Sequence, residues 1–495
     1  MHPKIKCFEK KNRKLIFCLT LAFIFVLLFS FSTSPLYGEY YGGDSSQFQT
    51  IGEAWLEGKV PYGDTFDHKG PAIFLINALG YLIHWRTGIM VIQILFLSIT
   101  LYWVFKISSL VSKKFIYGAF VAILTLVFLR CSYCDGNSVQ EYALPFLAVS
   151  TYYIAKFLLS RQKKHEPKWA LVYGVSAGFC LLSQATSAII IAAGVIAISI
   201  RLIRGKQWEN FWKNVEFGLI GFAGFCAPFL LYFAINGCLG EMFYAIIVFN
   251  AEYANKIGSW LHGATGDQVI AFLITFFPFI SVFLTTVFAF VRKKYEYAVF
   301  LLLCGFMEAY LFLSAQSFSQ YAVPTLMQLP LLFNEIYLLF AKDDVDSRLL
   351  CNVIMTFILM ISYNQSVSSI KLIPKMRSGA SSSEPIGYET ILEKHLDEIQ
   401  DSSFTAYCGA DARPVYLRYR LMPNNKFFIT QWWHAQFDER ISDEIFESFN
   451  DGNTKYILSD NISRIKEHNI NSILNEKYEL IEKNGEYELY KLKED

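Results

Sequence analysis

Six carboxylates, Glu39, Asp44, Glu53, Glu57, Asp64 and Asp67, crowd one stretch of the chain, which closes on Asp67-His68-Lys69-Gly70-Pro71. A carboxylate held near a hydroxyl can take its proton, and a lysine at the entry to a Gly-Pro bend supplies a point cation suited to a mobile phosphate. Between Ser45 and Leu56, the apolar residues Phe48, Ile51, Trp55 and Leu56 recur at three-to-four spacing, which predicts a short amphipathic helix able to lie on a membrane surface. Asp44 then falls at its N-cap, where a carboxylate meets free backbone amides. Taken singly, Asp44 reads as a helix cap and Asp67-His68 as a solvated turn. Taken together, an acid, a short helix, a bend and a cation describe a site at the edge of a membrane.

The rest of the chain supplies that membrane. Of 495 residues, 54% are hydrophobic, 17% aromatic and only 18% charged, against about 25% charged in soluble domains. The apolar residues come in unbroken blocks, as in 15–34, 88–107 and 269–291, near the roughly 20 residues a helix needs to cross hydrocarbon. A soluble enzyme is excluded, and a net charge of +1 leaves no polybasic face for nucleic acid. Eleven spans are predicted, at 15–36, 88–107, 116–130, 142–159, 169–185, 187–203, 215–235, 269–291, 297–315, 320–341 and 349–366. With the N-terminus on the cytoplasmic side, the inside connections hold 22 Lys and Arg and the outside ones five, the asymmetry the positive-inside rule requires. The basic start has no small-residue cleavage site before Pro35 and reads as a retained first helix rather than a signal peptide.

The odd number of spans puts the tail outside. The expected division is therefore a membrane module, 1–366, whose large first outside loop is 37–87, followed by an extracytoplasmic α/β domain, 367–495. Strand-like runs at 455–458 and 486–492 alternate there with helical patterns at 388–399 and 443–449. Cys131 and Cys134 form a C-x-x-C pair without further ligands, which reads as free thiols or a local disulfide. Asn250-Ala251-Glu252-Tyr253 and 316–321 read as aromatic-belt loops, with lining of the site cavity as the alternative, and Trp432-Trp433-His434 specifies no partner and reads equally as aromatics packing the tail against the membrane face.

The loop also carries a resemblance. Asp44, the short helix after it and Lys69-Gly70-Pro71 together resemble the polytopic GT-C glycosyltransferase superfamily, in the bacterial branch related to protein O-mannosyltransferases and lipid A aminoarabinose transferases. Those relatives carry an Asp-Glu pair after the first span and Lys-Pro-Pro before the next; here Ser45 replaces the second acid and Gly70 the first proline. The resemblance implies an all-α polytopic membrane protein of about eleven helices with a small extracytoplasmic α/β domain, in the plasma membrane. It also implies a second acid facing the same cavity, for which Glu141, at the edge of the fourth span, is the choice.

No G-x-x-x-x-G-K-[ST] phosphate loop occurs, and nucleotide sugars are cytoplasmic. A sugar transferred outside would come from a polyprenyl-phosphate donor and go to a lipid, glycan or protein acceptor. Asp44 is then expected to act as general base and Lys69 to bind the donor phosphate. Asp67 and Glu141 would line an acidic cavity, where the pair would hold a divalent cation, Mg or Mn, or position the acceptor. The competing class is a flippase of lipid-linked sugars, for which Glu308 in the ninth span is the leading residue. A non-catalytic assembly subunit is the third.

Overall fold

A computed structural model describes residues 3–38, 40–256, 266–314, 318–340, 387–461, 463 and 468–494, with scattered positions between 352 and 377. Glu39, most of the span predicted at 349–366 and part of 316–321 lie outside the described residues. The other ten predicted spans each coincide with helix. The helices of the chain are, in order, α1 (Pro3–Phe29), α2 (Gly43–Leu56), α3 (Pro71–Ser108), α4 (Phe115–Ser132), α5 (Val139–Leu159), α6 (Pro167–Leu181), α7 (Ile189–Arg204) and α8 (Trp208–Ile235). There follow α9 (Leu239–Phe243), α10 (Asn250–Lys256), α11 (Gly266–Thr275), α12 (Phe277–Val291), α13 (Tyr295–Ser314), a 3₁₀ stretch Ser319–Gln328 and α14 (Leu329–Phe340). Eight of the described helical segments are long and apolar enough to cross a membrane. The chain is a multi-pass membrane protein.

Two compact units are present. The first comprises 1–30, 90–229 and 258–374. It is the helical bundle, with Phe276, Phe279, Phe312 and Ala322 forming one buried aromatic cluster. The second comprises 31–89, 230–257 and 375–495. Its C-terminal part is a four-stranded sheet in the order β1-β2-β4-β3, with strands Phe404–Tyr407, Tyr456–Asp460, Tyr478–Asn484 and Tyr487–Leu492 numbered along the chain. β1 pairs parallel with β2, whereas β2–β4 and β3–β4 are antiparallel, the latter a hairpin turning at Gly485 (φ 60°).

The second predicted span begins earlier than its hydropathy suggested. α3 starts at Pro71 and is broken at His84 and Trp85, where Trp85 adopts φ 49°. A piece of about a dozen apolar residues before the break is too short to cross a bilayer alone, so hydropathy placed it in the loop. The break lets the two halves touch: a Cβ on Gly80 would meet the Ile89 nitrogen at 2.7 Å. Glycine is required there for contact, not flexibility.

α2 also departs from expectation. Rather than presenting one apolar face to a surface, it buries Phe48, Ile51 and Ala54 together with Ser45, Ser46, Gln47, Gln49 and Thr50. The polar side chains are satisfied locally: Gln49 Nε2 donates to Ser45 Oγ at 3.0 Å, Ser46 Oγ to Gly43 O at 2.7 Å and Thr50 Oγ1 to Ser46 O at 2.9 Å. Short hydroxyl side chains bonded back to their own helix need no water. A Cβ on Gly52 would lie 2.8 Å from the Ala78 nitrogen, so α2 packs backbone-close on α3.

Candidate functional site

The second unit contains the predicted loop site. Its approach runs through residues 32–38 and 40–41, which one buried side chain helps to hold. Arg86 is buried, donating from Nε to Ser32 O (3.1 Å), from Nη2 to Tyr40 O (3.0 Å) and from Nη1 to Gly38 O, with its guanidinium over the Tyr41 ring. Replacing it by an apolar residue removes three hydrogen bonds from a charged donor, each such bond being worth about 1.5–3 kcal/mol. Arg86→Met is therefore expected to lower the thermal unfolding midpoint in detergent by several degrees. An unchanged midpoint would mean that the segment is held by other contacts.

From this segment the chain turns into α2 at Gly42 (φ 73°), which is the N-cap. Asp44 thus stands within the first turn rather than at the cap, and its carboxylate serves another partner. Arg413 Nη1 lies 2.9 Å from Asp44 Oδ1, with the Asp44 side chain still 49% exposed. Gly43 makes room for the arginine: a Cβ there would meet Arg413 Nη1 at 3.0 Å. Ser45, at the position of the relatives' second acid, is buried and accepts the Gln49 amide.

The loop after α2 is wound tightly. Tyr62, fully buried at φ 69°, donates its hydroxyl to Lys69 O at 2.7 Å. Asp67 is buried and its Oδ1 accepts the Lys69 backbone N–H at 2.9 Å. Burial raises the Asp67 carboxyl to about 6, against the lowering effect of Lys69; Asp44 also raises it and Arg413 lowers it. Four charges therefore act on one another here: Asp44, Asp67, Lys69 and Arg413.

The Lys69 ammonium sits 2.6 Å from His68 Nε2. Only the ammonium has a proton to give, so that nitrogen is the acceptor and His68 is neutral, with its proton on Nδ1 toward Asp67 Oδ1 at 3.8 Å. Burial pushes the His68 pKa well down, and the neighbouring Lys69 charge adds to this.

Residues far along the chain complete the site, and the sequence reading assigned none of them to it. Asn250 Nδ2 donates to His68 O at 2.8 Å, and the rings of Phe249, Tyr253 and Trp433 lie 5.5–5.8 Å from the imidazole. Phe66 packs against Phe427 and, edge-on, His434. Asn250-Ala251-Glu252-Tyr253 and Trp432-Trp433-His434 were thus visible as motifs but not as partners of His68. Arg413 had no local signal at all.

Glu141 belongs to the first unit. It lies in the first turn of α5, buried, with Gln93 Nε2 donating to its Oε1 at 2.6 Å and to Ser30 Oγ at 3.1 Å. Of the four predicted site residues, three share a unit and Glu141 does not.

A family model described as the putative competence-induced protein Ccs4 N-terminal domain matches residues 6–398. The chain belongs to this family. No curated protein matches the sequence. Among solved structures, ArnT from Cupriavidus metallidurans bound to undecaprenyl phosphate aligns over 97% of this chain and 98% of its own, at 12% identity and a TM-score of 0.55. This Ccs4-type chain accordingly has the GT-C membrane fold that its first loop led us to expect.

In the Ccs4-type site the donor set does not suit a divalent cation. Among the described residues no three of His, Cys, Asp and Glu are grouped to hold a metal. Asp44 is taken by Arg413, Asp67 by a backbone amide, and the second acid is a serine. No step is assigned to a metal.

The buried imidazoles carry a pH signature. Burial lowers the His434 pKa to about 3 from the ordinary histidine value of about 6.5. A depressed folded pKa gives stability that is present above about 6.5 and is lost as pH falls towards 3, because the unfolded imidazole binds its proton first. Each such group changes stability by at most about 1.4 kcal/mol per pH unit. Asp67, raised to about 6, runs the opposite way and offsets part of this between pH 6 and 4. Thermal melts are expected to drop from pH 7.5 to 5.5, and His434→Gln to remove a large share of the drop. Equal slopes in wild type and variant would mean that His434 is not buried neutral.

Proposed function

We propose that the protein is a membrane glycosyltransferase moving a sugar from a polyprenyl-phosphate donor to an acceptor hydroxyl on the extracytoplasmic side of the plasma membrane. The observation that carries this reading is one half-exposed carboxylate, Asp44, flanked by Arg413 and sharing a charge cluster with Lys69 and Asp67. The fold it shares with a protein captured with undecaprenyl phosphate supports the donor class. The orientation follows from the lysine and arginine asymmetry of the loops.

The reaction is a displacement at the anomeric carbon. The acceptor hydroxyl gives its proton to Asp44 as its oxygen bonds to the sugar. The bond from the sugar to phosphate breaks, and polyprenyl phosphate leaves with the electron pair. Lys69 and Arg413 offset the charge growing on that phosphate. The neutral state of His68 leaves the Lys69 ammonium as the cation of the pair, and Tyr62 and Asp67 fix its backbone. Asp67 positions this loop.

A flippase reading rests on Glu308, buried in α13 and bonded by Gln328 Nε2 at 2.6 Å. Membranes containing the protein, supplied with polyprenyl-phosphate carrying a radiolabelled sugar, separate the two. Label appearing on an acceptor supports transfer. Label that only changes leaflet, in a Glu308-dependent way, replaces transfer with translocation.

A further inference from the structure

Away from the loop site, the first unit holds a groove of about 490 Å³ between α6, α7 and α8, lined almost wholly by apolar side chains. Small residues shape it: Ala177 and Gly218 line it, and Gly174 lets α6 meet α8 backbone to backbone, since a Cβ there would lie 2.7 Å from the Phe222 nitrogen. It runs along α7 from Ala188 to Leu202. At 1.5 Å per residue this is about 20 Å, somewhat more than one leaflet's share, about 15 Å, of the hydrocarbon core.

One end of the groove is polar and strongly cationic. His165 lines it and ties the connection before α6 to α8 and α6: its backbone N–H donates to Asn210 Oδ1 at 2.8 Å, its Nδ1 lies 2.6 Å from Asn214 Oδ1, and its Nε2 lies 3.1 Å from Tyr173 OH. Around this knot, Lys168 pairs with Glu166 and Lys213 with Glu209. Arg161, Lys163, Lys164, Arg204 and Lys206 are exposed and enter no described ion pair. Trp208 and Trp212, 52% and 63% exposed, mark the same end, as indoles do at headgroup depth.

We propose that this groove binds an acyl chain of an anionic phospholipid, with the phosphate headgroup seated among these five cations. An apolar slot between membrane helices that opens on surplus basic charge is the arrangement that recognises acidic lipid headgroups, each nearby Lys or Arg adding about 1 kcal/mol. The site is separate from the carboxylate loop and does not depend on the transfer reaction.

The test is native mass spectrometry of the full-length protein, purified in detergent after equilibration with equal amounts of phosphatidylglycerol and phosphatidylcholine. Wild type is expected to retain one phosphatidylglycerol at about tenfold preference. Gly218→Leu fills the slot without a backbone collision, since a Cβ there meets only Ala170 O at 3.7 Å, and is expected to lose the bound lipid. The double variant Arg204→Gln/Lys206→Gln, confined to an exposed turn, is expected to keep a lipid but lose the preference. Equal retention of both lipids by wild type overturns the proposal, as does retention by Gly218→Leu. Displacement of the phosphatidylglycerol by an equal amount of polyprenyl phosphate would reassign the groove to a polyprenyl tail.

Discussion

Asp44→Asn lowers sugar transfer by about 10²–10⁴-fold, the range expected for loss of a general base, while the protein still folds. The substitution keeps the size of the side chain and an oxygen that can accept the Arg413 N–H; it removes only the basic charge. The Asp44–Arg413 pair is 49% and 24% exposed at its two side chains. Ion pairs so open to solvent contribute at most about 1 kcal/mol, so the melting midpoint stays close to wild type. The measurement is label transfer from polyprenyl-phosphate sugar in membranes matched for protein level, alongside a melt in detergent. A large loss of transfer with an unchanged melt supports the base. Near-normal transfer by Asp44→Asn would remove Asp44 from the chemistry and leave it as Arg413's partner.

How far the sequence reached depended on the range of each contact. Helix positions are local properties, and ten predicted spans coincide with described helices. Asp44, Asp67 and Lys69 could be singled out together because a loop of that length between spans is unusual, and they share one charge cluster. The spacing of Phe48, Ile51 and Trp55 was ambiguous in a specific way. It marks a helix with an apolar face, but it does not say whether the opposite face is wet. Ser45, Ser46, Gln49 and Thr50 are short or locally bonded, so that face is buried too.

Arg413 illustrates the other limit. It meets Asp44 across 369 residues of sequence, and Asn250 meets His68 across 182. No periodicity or spacing encodes such a pairing. The residues that could have raised the question were the polar ones embedded in aromatic runs: Asn250 after Phe249, and His434 after Trp432-Trp433. A polar side chain among aromatic rings needs a partner; Asn250 finds His68 O in the Lys69 loop, and His434 meets the same loop through its edge-on contact with Phe66.

The second large effect is expected at the two cations. Lys69→Met removes the point charge proposed to face the leaving phosphate, and loss of one group stabilising developing charge costs about 10²–10³-fold in kcat. Arg413→Met is expected to fall less in kcat and more in KM for the lipid donor, since its guanidinium is already engaged with Asp44 at 2.9 Å. A lysine ammonium is a compact point charge without the planar guanidinium, so Arg413→Lys should recover little, whereas Lys69→Arg should recover part of the rate. Lys426→Met is the control: this lysine belongs to the same unit but is neutralised by Glu241 and Glu444 at 3.0 and 3.2 Å. Its variant should turn over normally. Raising ionic strength separates binding from chemistry, because screening weakens the encounter with an anionic donor without replacing a cation held against the phosphate. If Lys69→Met and Lys426→Met lose the same activity, the effect is one of general charge, and the Lys69-Gly70-Pro71 bend is a structural hinge rather than a phosphate clamp.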